Sequence, residues 1–352
     1  MKNLWYRIIR GYVKTGLYFY YKSIITIGQE NIPKNKPVLF IANHRNGLID
    51  PIIIAITSNT IHHYFTRASA FKNPIADYLL RTINMVPIYR IRDGVDSIAL
   101  NHDVFKNSYE VFKNNGTFII FPEGNHDLPR KLRSLKKGFM RIAFGFLKEN
   151  PEKELYIVPV GVNYEEALKP FTKVGVHYGP AIKASEFYDP ENIEQSFKKL
   201  NVKASEELRK VSVHIDDLDN IETIESQLLS EGYDFTDPIL INERIKSLDN
   251  ITKNRATFNV EKNGFLMKFL YVIFFINSIF PILIWRNIKT KVADPVLVNT
   301  FRFGLGLGLY TLFYLVQTVI LSYIFNWKIG LIYLVASLVI TGIISKYYHY
   351  KK

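Results

Sequence analysis

From about Phe265 onward the chain stops reading as a water-soluble protein, and that break limits its fold more than any other feature. Two long apolar runs, LGLYTLFYLVQTVILSYIF and IGLIYLVASLVITGII, follow it. About 20 helical residues cross the roughly 30 Å hydrocarbon core of a bilayer. In that solvent a segment must satisfy its own backbone hydrogen bonds, which favours helices for two such runs. We therefore expect transmembrane helices over about 305–325 and 329–346. Asn326-Trp327-Lys328 between them makes a tight polar turn with an interfacial tryptophan, giving a helical hairpin.

The preceding stretch, FLMKFLYVIFFINSIFPILIW (265–285), carries Lys268, Asn277, Ser278 and Pro281. It either spans or re-enters. Arg286, Lys289, Lys291 and Arg302 lie before the hairpin, and Lys346, Lys351 and Lys352 after it. A re-entrant segment leaves both basic clusters on the cytoplasmic side, as the positive-inside rule prefers. A spanning segment puts the first cluster on the wrong side.

The formal charge of +13 points to an anionic partner. The apolar C-terminal region favours a membrane over nucleic acid, for which no zinc-finger or RNP pattern appears. The chain has no cysteine, which excludes disulfides, thiolate nucleophiles and Cys-ligated metals. His62, His63, His102, His177, His214 and His349 show no metal spacing, so no metal site is expected. No secretory signal is visible, so the N-terminal part is expected on the cytoplasmic face of a multi-pass membrane protein.

Met1 to about Ile27 has helical spacing, with Arg7, Arg10 and Lys14 on one stripe beside Trp5, Ile8, Ile9, Tyr12, Phe19 and Tyr20. That suits an amphipathic helix in the membrane interface, the plain alternative being a helix packed on the domain core. Strand patterns follow at 38–42, 64–66, 85–89, 117–121, 156–163 and 173–178, with helix patterns near 51–57, 74–83, 97–113 and 137–149. Alternation of this kind predicts an α/β domain with a mostly parallel sheet flanked by helices. Function gathers in loops at the carboxyl ends of such strands. The organisation read from the chain is an interfacial helix over 1–30, the α/β domain over 31–210, a polar helical extension over 211–263 and the membrane region over 264–352.

Three clusters bear chemistry. His44 follows a strand, and Asp50-Pro51 opens a helix. A carboxylate on one ring nitrogen prepares an imidazole to act as general base at the other. The plain alternative is a loop histidine and a helix N-cap aspartate. The second cluster is FPEGNHDLPRKLRSLKKG, where Glu123 and Gly124 turn the chain and Arg130, Arg133 and Lys137 follow. It reads as a phosphate-binding loop or a solvated basic one. The third is NMVPIYRIRDG, which delivers Arg90 and Arg92 to a strand end, for a phosphate or as surface partners of Asp93.

Taken in order, Asn43-His44…Asp50-Pro51, Val86-Pro87-Ile88-Tyr89-Arg90, Phe121-Pro122-Glu123-Gly124 and Ile157-Val158-Pro159-Val160-Gly161 resemble the four-block pattern of the PlsC-like glycerolipid acyltransferases, over roughly residues 20–210. The resemblance implies transfer of a fatty acyl group from a thioester, acyl-CoA or acyl carrier protein, to the hydroxyl of lysophosphatidate, with no metal or organic cofactor. It implies His44 as general base, Asp50 as its orienter, Arg90 at the acceptor phosphate, and Glu123 with Gly124 shaping the acceptor site. It matches Lys137 to a lysine that follows the FPEG block, and it makes 158–161 a wall of the acyl channel.

Two departures stand out. Five residues separate His44 from Asp50, where many members have four. Asn125-His126-Asp127 replaces the usual Thr-Arg-Ser-like continuation, leaving Arg130 or Arg133 to stand in for the arginine, and His126 either to contact the acceptor or to serve as a polar loop residue. The departures leave glycerol-3-phosphate, or another lipid hydroxyl such as an N-acyl amino acid lipid, as alternative acceptors. A non-catalytic lipid-binding scaffold is the alternative outside enzymes.

Overall fold

The computed structural model describes residues 2–89, 100–248 and 263–348. Its short apolar runs pair into one sheet. The strands are β1 (Ser23–Ile27), β2 (Val38–Ala42), β3 (His62–Arg67), β4 (Met85–Ile88), β5 (Thr117–Ile120), β6 (Tyr156–Tyr164), β7 (Lys173–Tyr178) and the short β8 (Ile182–Lys183). Their spatial order is β1-β7-β6-β2-β5-β3-β4, with β8 on β6. Strand β2 pairs in parallel with both β5 and β6, and β3 pairs in parallel with β4 and β5. Strand β7 runs antiparallel to β6, so the sheet is mixed but mostly parallel.

Central strand β2 is buried along its whole length, as expected where helices cover both faces. Leu39 and Ile41 pack with Phe112 of α4 (Leu100–Lys113), Phe139 and Phe146 of α5 (Gly138–Glu149) and Leu208 of α6 (Ile193–Val211). Val38 and Phe40 face the other side. They pack with Tyr6 and Leu17 of α1 (Lys2–Tyr20) and Ile49 and Ile53 of α2 (Ile49–Thr57). Helix α3 (Pro74–Thr82) precedes β4.

One sequence expectation changes here. The N-terminal helix ends at Tyr20 rather than near Ile27. The β-branched run Ser23–Ile27 leaves it to form β1, in parallel register with β7. Residues 211–248 are helical, in keeping with the extension read there, and carry a core of their own. Helices α7 (Ile221–Ser230) and α8 (Pro238–Lys246) bury Ile215, Leu228, Phe235 and Ile241 in a cluster of their own.

The C-terminal region begins with α9 (Phe265–Asn277) and α10 (Ile279–Lys289), bent by 78° between them. Helices α11 (Leu297–Ile324) and α12 (Trp327–Tyr347) follow, each long and apolar enough to cross a membrane. At 1.5 Å per residue, the 28 residues of α11 extend about 42 Å. The α9–α10 break is enclosed by the hairpin. Buried Ser278 meets the Tyr314 hydroxyl at 2.7 Å, and Asn277 donates to Ser337 Oγ at 3.1 Å. Such partners are what irregular backbone needs away from water. Earlier in α9, Tyr271 stacks on Tyr348, just past the end of α12. Near the end of α10, Trp285 lies under Arg302 at the start of α11.

This region is built onto the α/β domain. Lys346 Nζ donates to the carbonyls of Tyr18 and Tyr21, and Tyr12 of α1 donates to Leu307 O at 2.7 Å. Buried Asn299 of α11 donates to Tyr21 OH at 3.1 Å and accepts from Tyr20. Helix α1 therefore combines two roles. It buries Tyr6 and Leu17 against the domain while leaving Leu4, Trp5 and Ile8 exposed.

Candidate active site

Adjacent parallel strands deliver their following loops to one rim. Ile41 and Ile120 are register partners in β2 and β5, so Asn43-His44 and Phe121-Pro122-Glu123 emerge side by side. The Asn43 side chain continues the sheet beyond β2. Its amide donates to Val162 O and its carbonyl accepts from Val162 N–H at 2.8 Å. This anchor fixes where His44 starts.

His44 Nδ1 lies 2.8 Å from Asp50 Oδ2. The ring stacks on Phe121 at 4.0 Å between centroids. Asp50 is fully buried in the first turn of α2. Its Oδ2 also accepts the backbone N–H of Arg45 at 2.9 Å and of Asn46 at 2.8 Å. Its Oδ1 accepts the Tyr164 hydroxyl at 2.5 Å. Asp50 is thus no N-cap. Its carboxylate turns back over the loop that precedes its own helix, and the five intervening residues fold around it. Burial and the neighbouring Asp50 charge push the Tyr164 phenol well above its ordinary range, so it stays a donor. With Nδ1 held, His44 Nε2 is the nitrogen left for a ligand, without a partner among the described residues.

The FPEG turn braces this loop from the side. Glu123 is buried, and its Oε1 accepts the His44 backbone N–H at 3.2 Å. Its Oε2 pairs with Arg133 Nε at 2.5 Å. Burial raises the Glu123 carboxyl above its usual value, against the opposing pull of Arg133 and the hydrogen bonds. Gly124 sits at φ 82°, where a side chain would be strained, and its N–H closes on Phe121 O at 3.1 Å. Asp127 N–H donates to His44 O, and Arg45 donates to Leu128 O at 2.9 Å, which joins the two loops. Asn43, His44, Arg45, Glu123 and Lys131 help line a small pocket here.

The basic residues expected around the acceptor divide differently. Arg130 is buried under Phe235, at 3.9 Å from the ring centroid, and donates to the carbonyls of Tyr164 and Glu165. Its Nε lies 3.0 Å from Glu225, and burial lowers its pKa to about 9. It ties α7 to the sheet and does not reach the site. Arg133 braces Glu123 and Asn125. Lys137 is half exposed and pairs with Glu194 at 3.0 Å. Arg90, Arg92 and Asp93 lie outside the described residues. The 158–161 strand lies in the core of β6, and the apolar cleft of about 110 Å³ lies elsewhere, between α1 and α2 beside Leu48 and Pro51.

Two contributors, Tyr164 and Thr300, were not singled out from sequence. Tyr164 holds Asp50. His126, which the sequence did offer, lies edge-on to His44 at 5.5 Å and meets Asp294 Oδ2 at 2.9 Å. Thr300 of α11 accepts Leu48 N–H at 3.1 Å, and a Cβ on Gly47 would come within 2.7 Å of the same hydroxyl oxygen. The membrane-type region therefore touches the His44 loop directly. Among the described residues no group of three His, Cys, Asp or Glu side chains is arranged to hold a metal.

Residues 23–163 match the Acyltransferase family profile. Over 143 residues the chain is 27% identical to glycerol-3-phosphate O-acyltransferase 1 of Saccharomyces cerevisiae, covering 39% of this chain and 18% of that protein. It is 26% identical over 139 residues to a chloroplastic 1-acyl-sn-glycerol-3-phosphate acyltransferase of Arabidopsis thaliana, covering 39% and 36%. It is 28% identical over 136 residues to a 1-acyl-sn-glycerol-3-phosphate acyltransferase of Borreliella burgdorferi, covering 39% and 52%. The matched stretch thus spans about half or less of each relative's length. The crystal structure of PlsC, a 1-acyl-sn-glycerophosphate acyltransferase from Thermotoga maritima, superposes with a TM-score of 0.43 at 22% identity, over 59% of this chain and 80% of that one. Residues 23–163 thus match an acyltransferase domain, and over that stretch the chain is similar to 1-acyl-sn-glycerol-3-phosphate acyltransferases.

Proposed function

We propose that this protein is a membrane-bound O-acyltransferase that moves a fatty acyl group from an acyl thioester to the hydroxyl of lysophosphatidate. The observation that carries the reading is the His44–Asp50 pair at 2.8 Å, on the rim beside the FPEG turn. His44 Nε2 takes the proton of the acceptor hydroxyl as its oxygen attacks the thioester carbonyl. Asp50 holds the tautomer and offsets the charge of the imidazolium. The tetrahedral intermediate collapses, the C–S bond breaks, and the proton passes from His44 to the departing thiolate. The acceptor is itself the nucleophile, so no acyl-enzyme forms and positioning supplies much of the rate. The reaction as drawn uses no metal or organic cofactor. Acyl-CoA or acyl carrier protein is the donor.

Helices α11 and α12 span the bilayer in this reading, with the catalytic domain on the cytoplasmic face. Segment α9–α10 re-enters. The contact of Tyr271 with Tyr348 and of Trp285 with Arg302 supports it, since both hairpin ends named lie toward the domain. Glycerol-3-phosphate is the second acceptor to weigh, because the yeast relative is named for it and the FPEG continuation departs from the usual pattern. The test offers labelled acyl-CoA, and separately acyl carrier protein thioester, with lysophosphatidate, glycerol-3-phosphate and unphosphorylated acceptors. Preferred transfer to lysophosphatidate supports the reading. Transfer to none of them by folded protein overturns it.

A further inference from the structure

We propose that α3 docks into the membrane interface beside α1, so that the α/β domain meets an anionic bilayer on a second helix, away from the C-terminal hairpin. The inference goes beyond the acyl-transfer reaction. It rests on the reading of α11 and α12 as bilayer-spanning helices.

The orientation of α3 argues first. The Asn73 side chain accepts the N–H groups of Ile75 and Ala76, and Pro74 opens the first turn, so the helix is locally specified. Ile75, Tyr78, Leu79 and Thr82 recur at i, i+3, i+4 and i+7 and share one face. A stripe of that spacing ordinarily faces the core. Here it faces outward, with Ile75 72% exposed, Tyr78 70% and Leu79 52%. Leu80, on the opposite face, packs toward the sheet core instead.

Second, the stripe continues onto α1. Trp5 Nε1 donates to Thr82 Oγ1 at 3.3 Å, which sets the two helices side by side. Leu4, Trp5 and Ile8 are exposed there. Single exposed apolar side chains need no explanation, but a face shared by two adjoining helices marks an interaction surface. Trp and Tyr carry an apolar ring with a polar tip, which suits the headgroup level of a bilayer.

Third, the surroundings of the face name its occupant. Helix α1 carries the membrane region, through Tyr12 on Leu307 O and Lys346 on Tyr18 O. The face is thereby continuous with the helices read as entering the bilayer. Its border is basic. Arg7 and Lys72 are exposed, α1 has no acidic residue, and Asp77, the acid of α3, is paired with Arg81 at 2.8 Å. Apolar side chains that sink about 5–10 Å into the headgroup boundary, ringed by cations, suit anionic lipid. The same cations disfavour a second copy of the chain, since a self-complementary contact brings like charges together. A second contact also restricts how the domain tilts on its anchor.

The chain has no cysteine, so a single introduced thiol reports one site. Full-length Ile75→Cys and Tyr78→Cys, each labelled with bimane, are placed in lipid nanodiscs containing phosphatidylglycerol. Glu152→Cys, exposed in the turn before β6, is the aqueous control, and Val319→Cys, exposed on α11, is the lipid control. Iodide in solution should quench both α3 labels several-fold less than the Glu152→Cys label. Lipid with a nitroxide high on its acyl chain should quench the α3 labels and leave Glu152→Cys unaffected. Iodide quenching of both α3 labels equal to that of Glu152→Cys overturns the inference. Shielding from iodide without nitroxide quenching, or ready disulfide dimers of unlabelled Tyr78→Cys, assigns the face to a protein contact and also overturns it. Shielding unchanged in pure phosphatidylcholine overturns the choice of anionic lipid. If iodide reaches Val319→Cys, the spanning reading of α11 fails, while the two α3 labels still decide the docking face by themselves.

Discussion

Asp50 reaches His44 with the same carboxylate oxygen that gathers the backbone N–H groups of Arg45 and Asn46. One buried atom thus fixes both the imidazole and the loop that carries it. The helix that starts around Asp50 packs its isoleucines into the sheet core, so the pair is referenced to the most rigid part of the domain. A site held in this way keeps the His44 imidazole aligned without help from substrate.

Tyr164→Phe removes the hydroxyl from Asp50 Oδ1 and little else. A hydrogen bond to a charged group is worth about 1.5–3 kcal/mol. We expect kcat to fall about tenfold with both KM values unmoved, since the phenol touches no substrate in this account. Steady-state kinetics with each substrate varied decides it, and a KM effect without a kcat effect sinks the assignment.

Thr300→Val keeps the shape of the side chain and removes the acceptor of Leu48 N–H. The loss should cost about 1 kcal/mol in thermal stability. It should also lower activity several-fold, because Leu48 lies two residues before Asp50. Unchanged activity in detergent would mean that the C-terminal region anchors the enzyme and does nothing to its site.

The His62 imidazole is buried between Ser58 and Thr117, and burial, then the charge of Arg10 and of His63, push its pKa down to about 3. It stays neutral in the fold but takes a proton near pH 6.5 once unfolded. The unfolded state therefore binds more protons between those values, and stability falls as pH drops from 6.5 toward 3. The slope from this residue is at most about 1.4 kcal/mol per pH unit. Burial lowers His177 and His214 in the same direction. Melting curves from pH 8 to 4 should show a shallower acid loss in His62→Gln than in wild type. Equal slopes would contradict the assignment.

A chain without cysteine is ready for labelling. Thr290→Cys, exposed past the end of α10, should react with a membrane-impermeant maleimide from the same side as the catalytic domain. Asn326→Cys, in the hairpin turn, should react from the opposite side. Labelling of Thr290→Cys from the Asn326 side would make α9–α10 a spanning segment.

Much of this was legible in the sequence, for physical reasons. The bounds of β2 coincide with its apolar run, because buried strands are continuous in hydrophobicity. Strand β1 was absorbed into the preceding helix pattern because its partner β7 lies some 150 residues away, and local spacing carries no trace of that pairing. Tyr164 could have been found: Val158, Val160, Val162 and Tyr164 share one face of β6, the face that α2 covers. Asp294 could not, since nothing local links it to His126 across 168 positions. The basic loop misled for a different reason. A run of cations looks alike whether it meets a phosphate or the carboxylates of its own fold, and Arg130 shows the second outcome.

The most direct test of the central claim is acyl transfer from labelled acyl-CoA to lysophosphatidate by purified wild type and His44→Ala, with folding checked by melting. The account predicts transfer by wild type and a loss of at least about a hundredfold in the variant, the contribution of a positioned general base. Equal transfer by folded His44→Ala would contradict it.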